Sequence, residues 1–340
     1  MPLTTDQLAA VEIKDWNAVA QAFRGADLLL GNGFSLLFSP VFSYTSLFDE
    51  FIKSVPADLA TLFRGLGTTN FERLQEILVH ARTVNEFLRI DGPRVAEGLT
   101  TLREGLVHTI YANHPRAEAL NREHLELVAK LLDHFGDIFT TNYDLYLYHI
   151  IMLLKDRYRE DNSVRPYNDY FWSPFSPSFL AFMDYQDYKQ YKHIYYLHGA
   201  LFLFPGTSEG HPGDLKLRRG AETQLIEVIG QFILKGRLPL FVTESRSADK
   251  LTSIQHSPYL NFAYSKLKLC GDRLVVFGHA LADQDMHVLD ALGRRRREIA
   301  IAVHLGEKNE EELRKLIYSY RSRLSFHDTV FFDSSTLLQP

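Results

Sequence analysis

The sequence predicts an α/β protein built on a doubly wound, mostly parallel, Rossmann-like sheet with a helical insertion. Three observations predict it: short apolar runs suited to buried strands, helical patterns between several of them, and small or polar groups clustered where the runs stop. Ligands of open α/β sheets bind outside the carboxyl ends of the strands, so those clusters also point to a site. All 340 residues are read as one domain, with the helical insertion at about 48–132 and an irregular insertion at about 160–192.

Along the chain, residues 16–23 have helical spacing, and the apolar run 26–30 enters the tight turn Gly31-Asn32-Gly33 as a buried strand would. Residues 48–132 are helical in pattern almost throughout, as in Phe71-Glu72-Arg73-Leu74-Gln75-Glu76-Ile77-Leu78. That is far more chain than a crossover helix needs, and such an insertion can wall a ligand site. Ile138-Phe139 leads into Thr140-Thr141-Asn142-Tyr143-Asp144, ahead of a helical run at 145–154. Residues 167–191, rich in Tyr, Phe, Pro and Asp, lack a clear period. A strand at 193–197 ends at His198-Gly199, and further strands are expected at 239–243, 273–277, 299–304 and 329–332. Helices are expected at 257–269 and 309–324, where Leu313, Leu316, Ile317 and Tyr320 recur at three- and four-residue spacing. No internal repeat or low-complexity linker interrupts this order.

A hydrophobic content of 46% with 23% charged residues is that of an ordinary globular protein with a sizeable core. The net charge of −5 gives no overall basic field for nucleic acid or an anionic membrane. The concentrated basic run, Arg294-Arg295-Arg296-Arg297, reads as the solvated end of a helix, where cations meet the negative pole of the dipole. A single cysteine, Cys270, supplies neither a disulfide framework nor a four-cysteine zinc module. No basic stretch followed by an apolar one opens the chain, and no window reaches the roughly 18 apolar residues that span a bilayer. The expectation is a cytoplasmic protein without membrane or direct nucleic-acid partners.

Four strand ends carry the candidate chemistry. Glycines in Gly31-Asn32-Gly33-Phe34-Ser35 would let backbone amides approach a pyrophosphate, although the same turn is equally at home with no ligand. Leu36 stands where a dinucleotide fingerprint would have its third glycine, and there is no Gly-Lys-Ser/Thr ending of a Walker loop. Asn142 and Asp144 precede a helix and so suit capping, but with Thr140, Thr141 and Tyr143 they offer more polar groups than a cap consumes. A carboxamide donates and accepts at once, which suits a sugar hydroxyl or an attacking water. His198 has the titration range of a general acid or base, against the alternative of a satisfied structural histidine. In Gly278-His279-Ala280-Leu281-Ala282-Asp283-Gln284-Asp285-Met286-His287, a metal set of His279, Asp283, Asp285 and His287 competes with ribose binding and helix capping. The ribose and capping readings are preferred, and no metal is expected.

Taken in order, Gly-x-Gly-x-Ser, Thr-Thr-Asn-x-Asp, His-Gly and Gly-His-x-Leu with following acids resemble the sirtuin-like NAD-binding superfamily, closest to its zinc-free bacterial defence-associated members. Residues 239–244, Lys250-Leu251 and Pro258-Tyr259-Leu260 look like an uncharacterised branch of that group, and the similarity runs from about Asp27 to Asp333. The resemblance implies that Gly31, Asn32, Gly33, Phe34 and Ser35 cradle NAD, with Thr141 and Asp144 near the ribose or nicotinamide. It implies that Asn142 and His198 stand at the scissile N-glycosidic bond, and that Gly278, His279, Asp283 and Asp285 line the adenosine side. Sirtuin deacylases carry a four-cysteine zinc module and a Gly-Ile-Pro-Asp-Phe-Arg loop, whereas this chain has one cysteine and reads Leu36-Leu37-Phe38-Ser39-Pro40. The expected activity is therefore NAD cleavage to nicotinamide and ADP-ribose by an anti-phage effector, with NAD as substrate and no zinc. The alternatives are a non-catalytic NAD or ADP-ribose sensor and a protein ADP-ribosyltransferase or deacylase. A toxic NADase needs control, so a homo-oligomer and a trigger, either a partner ATPase or a phage component, are expected.

Overall fold

The computed structural model describes residues 5–90, 92–161, 167–172, 179–184, 191–206, 213–218, 224–243 and 246–338. Parts of the expected irregular insertion, residues 162–166, 173–178 and 185–190, lie outside the described residues. The strands in chain order are β1 (Ile13–Lys14), β2 (Asp27–Leu30), β3 (Ile138–Thr140), β4 (Tyr167–Asn168), β5 (Phe171–Trp172) and β6 (Phe179–Phe182). They continue as β7 (Lys192–Tyr196), β8 (Leu203–Phe204), β9 (Leu215–Leu217), β10 (Arg273–Phe277), β11 (Glu298–Val303) and β12 (Asp328–Asp333).

Eight strands form one sheet in the order β1-β12-β11-β10-β2-β3-β7-β4, and every neighbouring pair is parallel. The α/β architecture with a parallel, Rossmann-like sheet is thus present. Parallel sheets are covered on both faces, which is why the strands read as continuous apolar runs. Leu28, Leu29 and Leu30, Leu274 to Phe277, and Ile299 to Ile301 are all buried in one core. The remaining strands make a small antiparallel sheet, β5-β6-β9-β8.

From β2 the sheet grows through β3 and β7 on one side, while β10, β11 and β12 extend it on the other. The winding reverses between β2 and β10, and the crevice beyond their carboxyl ends is where such sheets hold ligands. Pairing of Leu30 with Phe277 sets Gly31 beside Gly278 at that point.

Between β2 and β3 the expected insertion is a set of helices at Tyr44–Ser54, Ala57–Leu66, Phe71–Leu88, Pro93–Asn113 and Arg122–Leu132. Its helix starts were written in the sequence. The Ser43 hydroxyl accepts from the Ser46 amide, and the Asn70 side chain accepts from Glu72 and Arg73. Phe51, Leu59, Phe63, Phe71, Leu74, Leu78 and Leu102 give the insertion a core of its own. The last helix instead buries Leu125, Val128, Ala129 and Leu132 in the main core and acts as the crossover to β3.

Three elements depart from expectation. Within the expected irregular insertion the described residues form β4, β5 and β6, each paired in a sheet. Residues 239–243 form only an isolated bridge, Phe241 with Gly199, and the amides of Leu240 and Val242 donate to Leu203 and His198 without building a continuous ladder. In the arginine run, Arg297 is buried rather than solvated. Its guanidinium donates to the carbonyls of Lys268 and Leu292, the last residues of the helices Pro258–Lys268 and Met286–Leu292. The predicted attraction to helix C-termini holds, but it serves two helices from inside. Among the described residues no helix is long and apolar enough to cross a membrane.

Candidate functional site

The turns after β2 and β10 meet backbone to backbone. Gly31 N–H donates to Phe277 O at 3.0 Å and Gly33 N–H to Gly278 O at 2.9 Å. A Cβ on Gly33 would stand 2.6 Å from the Gly278 Cα, and one on Gly31 would strike the Gly278 carbonyl and His279. These glycines are therefore required by close approach of two chain segments. Phe34 is buried in the main core, against Phe38.

A polar network ties the ends of β2 and β3 together. Asn142 Nδ2 donates to Gly31 O at 3.0 Å and to Ser35 Oγ at 2.9 Å, and Ser35 Oγ donates to Asp144 Oδ2. Asp144 Oδ1 accepts from the Tyr146 amide at 2.9 Å, so it caps the helix Tyr146–Asp161 while bonding to Ser35. Burial raises the Asp144 carboxyl above its ordinary range, partly offset by the Ser35 hydroxyl. Thr141 is fastened to β2 through its amide and Leu30 O at 3.0 Å, and Tyr143 lies stacked on Phe241 with its hydroxyl on Val242 O. The polar strand end thus contains both structural groups and groups that reach the cavity.

At the end of β7, His198 is buried and its Nε2 lies 2.9 Å from Nε2 of His287. Gly199 follows it at φ +87°, where a Cβ would collide with the Leu240 carbonyl. Ser247 Oγ holds the second ring on its other side, 3.1 Å from His287 Nδ1, and accepts from the His287 amide. Burial pushes both imidazoles down, His198 well below 6.5 and His287 to about 4. Both are neutral at pH 7, so one Nε2 carries the shared proton and the other accepts it. After β10, His279 Nδ1 accepts from the amide of Leu281 at 3.0 Å, an amide presented by left-handed backbone at φ +48°.

A cavity of about 210 Å³ opens at this edge of the sheet. Of the residues predicted from the sequence, Asn32, Thr141, Asn142, Asp144, His198, Gly278, His279 and Asp285 line it. Gly31, Gly33, Phe34 and Ser35 lie behind that lining, the glycines and Ser35 bonded to lining residues. Asp283 is exposed and paired with Arg323 at 3.1 Å, away from the cavity. The opposite wall comes from the insertion, through Leu47, Phe71, Glu72, Gln75, Arg103 and Leu106 among others.

Sequence reasoning missed the charged seam between insertion and sheet. Lys250, on the helix Ser247–His256, is buried and donates to Glu72 Oε1 at 2.6 Å and to Asp285 Oδ1 at 2.9 Å. Burial alone would lower its ammonium, but Asp285 and Glu72 raise it above its ordinary value. Burial likewise acts to raise Asp285, yet His198, Lys250 and His279 around it hold its carboxyl low. Glu72 is raised, burial outweighing its pairing with Lys250. The signal available was a lysine in the stretch Asp249-Lys250-Leu251, with nothing to reveal a partner 178 residues away.

Donor atoms of His198, Asp285 and His287 lie within 4.8 Å of one another, the single such group among the described residues. It differs from the set weighed in the sequence, since Asp283 faces outward and His279 Nδ1 is taken by Leu281. Two imidazoles and a carboxylate are a donor set for a divalent transition ion. Here the imidazoles already satisfy each other and Asp285 faces the Lys250 ammonium, which repels a cation, so the group is balanced as it stands.

No curated protein matches this chain. A family model matches residues 28–337, from the middle of β2 to just beyond β12. The chain therefore belongs to the family described as domain of unknown function DUF4917.

Proposed function

We propose that the protein is an NAD glycohydrolase, cleaving the bond between nicotinamide and ribose and releasing ADP-ribose. The observation that carries this reading is the convergence of Asn142 and His198, from two different strand ends, on one cavity beside the reversal of sheet order. That crevice is the position at which doubly wound sheets bind nucleotides. The resemblance of the four strand-end motifs to sirtuin-like proteins supplies the substrate.

In this reading the C1′–N bond breaks with its electron pair going to the nicotinamide ring, which neutralises the pyridinium. Water forms the new C1′–O bond and gives a proton to His198, whose burial keeps the imidazole neutral and so free to accept one. Because the leaving group starts cationic, the site needs placement and shielding more than strong acids. Asn142 has its nitrogen committed to Gly31 and Ser35, so its carboxamide is held in a fixed orientation by the sheet itself. Its role is to position ribose or water through the remaining oxygen.

The commitment of Asn142 to this internal network also favours a second reading, a module that binds NAD or ADP-ribose without turnover. The family resemblance further supports a role as a triggered defence effector acting as a homo-oligomer with a partner ATPase or a phage-derived activator. NAD labelled in the adenosine half separates the outcomes. The hydrolase yields free labelled ADP-ribose, a transferase leaves label on protein, and a sensor returns intact NAD.

A further inference from the structure

We infer that Arg103, carried by the helical insertion, is the residue that binds the pyrophosphate of the pocket's ligand. The inference rests on the NAD reading and moves the phosphate site away from the glycine turn.

The glycine turn has little left with which to hold an anion. The amides of Gly31, Gly33 and Phe34 already donate to Phe277 O, Gly278 O and Gly31 O. The space in front of both glycines, which a phosphate cradle would keep open, is filled by backbone of Gly278 and His279. The segment that follows, Asn32–Ser35, is a single helical turn.

The cavity has two side chains that carry a full positive charge, Lys250 and Arg103. Lys250 is buried between Glu72 and Asp285, and both of its carboxylate partners are close. Arg103 is exposed at the cavity wall and forms no ion pair or hydrogen bond among the described residues. It sits on the helix Pro93–Asn113, where Arg103, Leu106 and Ile110 share one face by their spacing of three and four residues and all line the cavity. The apolar neighbours anchor that face against the cavity and leave the guanidinium facing it without a counter-ion. A guanidinium presents a rigid fork of donors that matches two phosphate oxygens, which a lysine cannot reproduce.

Isothermal titration of the full chain with ADP-ribose, and with adenosine as a phosphate-free control, tests this. Arg103→Ala should weaken ADP-ribose binding roughly 10- to 100-fold, as expected for a charged hydrogen bond lost. Adenosine binding should not change, Arg103→Lys should recover part of the loss, and the variant should lose most of the wild-type dependence on salt. Because Arg103 is exposed, the circular dichroism melt of Arg103→Ala should match wild type. Equal ADP-ribose affinity in wild type and Arg103→Ala overturns the inference while leaving the NAD reading intact. No binding of ADP-ribose to wild type sinks the NAD reading and this inference with it.

Discussion

His198 and His287 face each other through their Nε2 atoms at 2.9 Å, so the imidazole at the end of β7 is held by a second buried ring rather than by a carboxylate. Burial lowers both, and no carboxylate accepts a hydrogen bond from either ring among the described residues. For the proposed hydrolase the consequence is a His198 imidazole that stays unprotonated into acid.

The acid limb of kcat/KM for NAD should therefore lie well below pH 6.5, the ordinary histidine value. Activity should be level from neutrality down through 6.5 and decline only as the depressed imidazole takes up a proton. A limb centred at 6.5 would mean that His198 is not the base, or that it is solvated during turnover.

Acid should destabilise the fold over the same range, and His114 isolates the effect outside the cavity. Its Nε2 accepts from the Leu145 amide at 2.9 Å and its Nδ1 lies 2.9 Å from Pro115 O, an arrangement of the neutral ring that burial holds at about 4. With a folded value below the unfolded 6.5, the unfolded chain binds the extra proton. Stability from this group is complete above 6.5, falls as pH drops from there to about 4, and changes no further below. The difference corresponds to about 3 kcal/mol. Urea titrations at pH 7 and pH 5 should show a smaller loss for His114→Gln than for wild type, even if the variant starts less stable. Equal losses would exclude His114 as a contributor.

Lys250 fastens the insertion to the sheet. Lys250→Met leaves Glu72 and Asp285 facing each other across a largely buried gap, and should cost about 3 kcal/mol, with Glu72→Gln in the same chain restoring part of it. Hydrogen exchange should quicken first in the helix Phe71–Leu88, which carries Glu72. Uniform quickening across all elements would show that Lys250 supports global stability only.

Much of this site was legible because a parallel sheet sends every strand end to one edge. Gly31, Asn142, His198 and Gly278 each close an apolar run, so their convergence followed once the strands were recognised as parallel. Asp283 misled because it lies two residues before Asp285 on a short 3-10 turn, which sends one carboxylate to Lys250 and the other to Arg323 at the surface. The bridge at Phe241 misled because Pro239 to Thr243 has strand composition but no continuous partner. Glu72 and Ser247 left no local signal, and Lys250 stood out only within the resemblance, since each acquires its partners from a helix that meets the cavity only in the folded chain. The glycine turn was legible as glycine-requiring, and the folded chain supplies a reason the sequence lacked: the second turn packed against it.

NAD consumption and product formation, followed by mass spectrometry on the purified chain with its activator where one is required, decide whether the cavity hydrolyses NAD. Hydrolysis at this site predicts equimolar nicotinamide and ADP-ribose from wild type. It predicts a loss of 100-fold or more, on the order of a positioned base, in His198→Ala and Asn142→Ala. Intact NAD in the wild-type reaction, or turnover by His198→Ala at the wild-type rate, would contradict it.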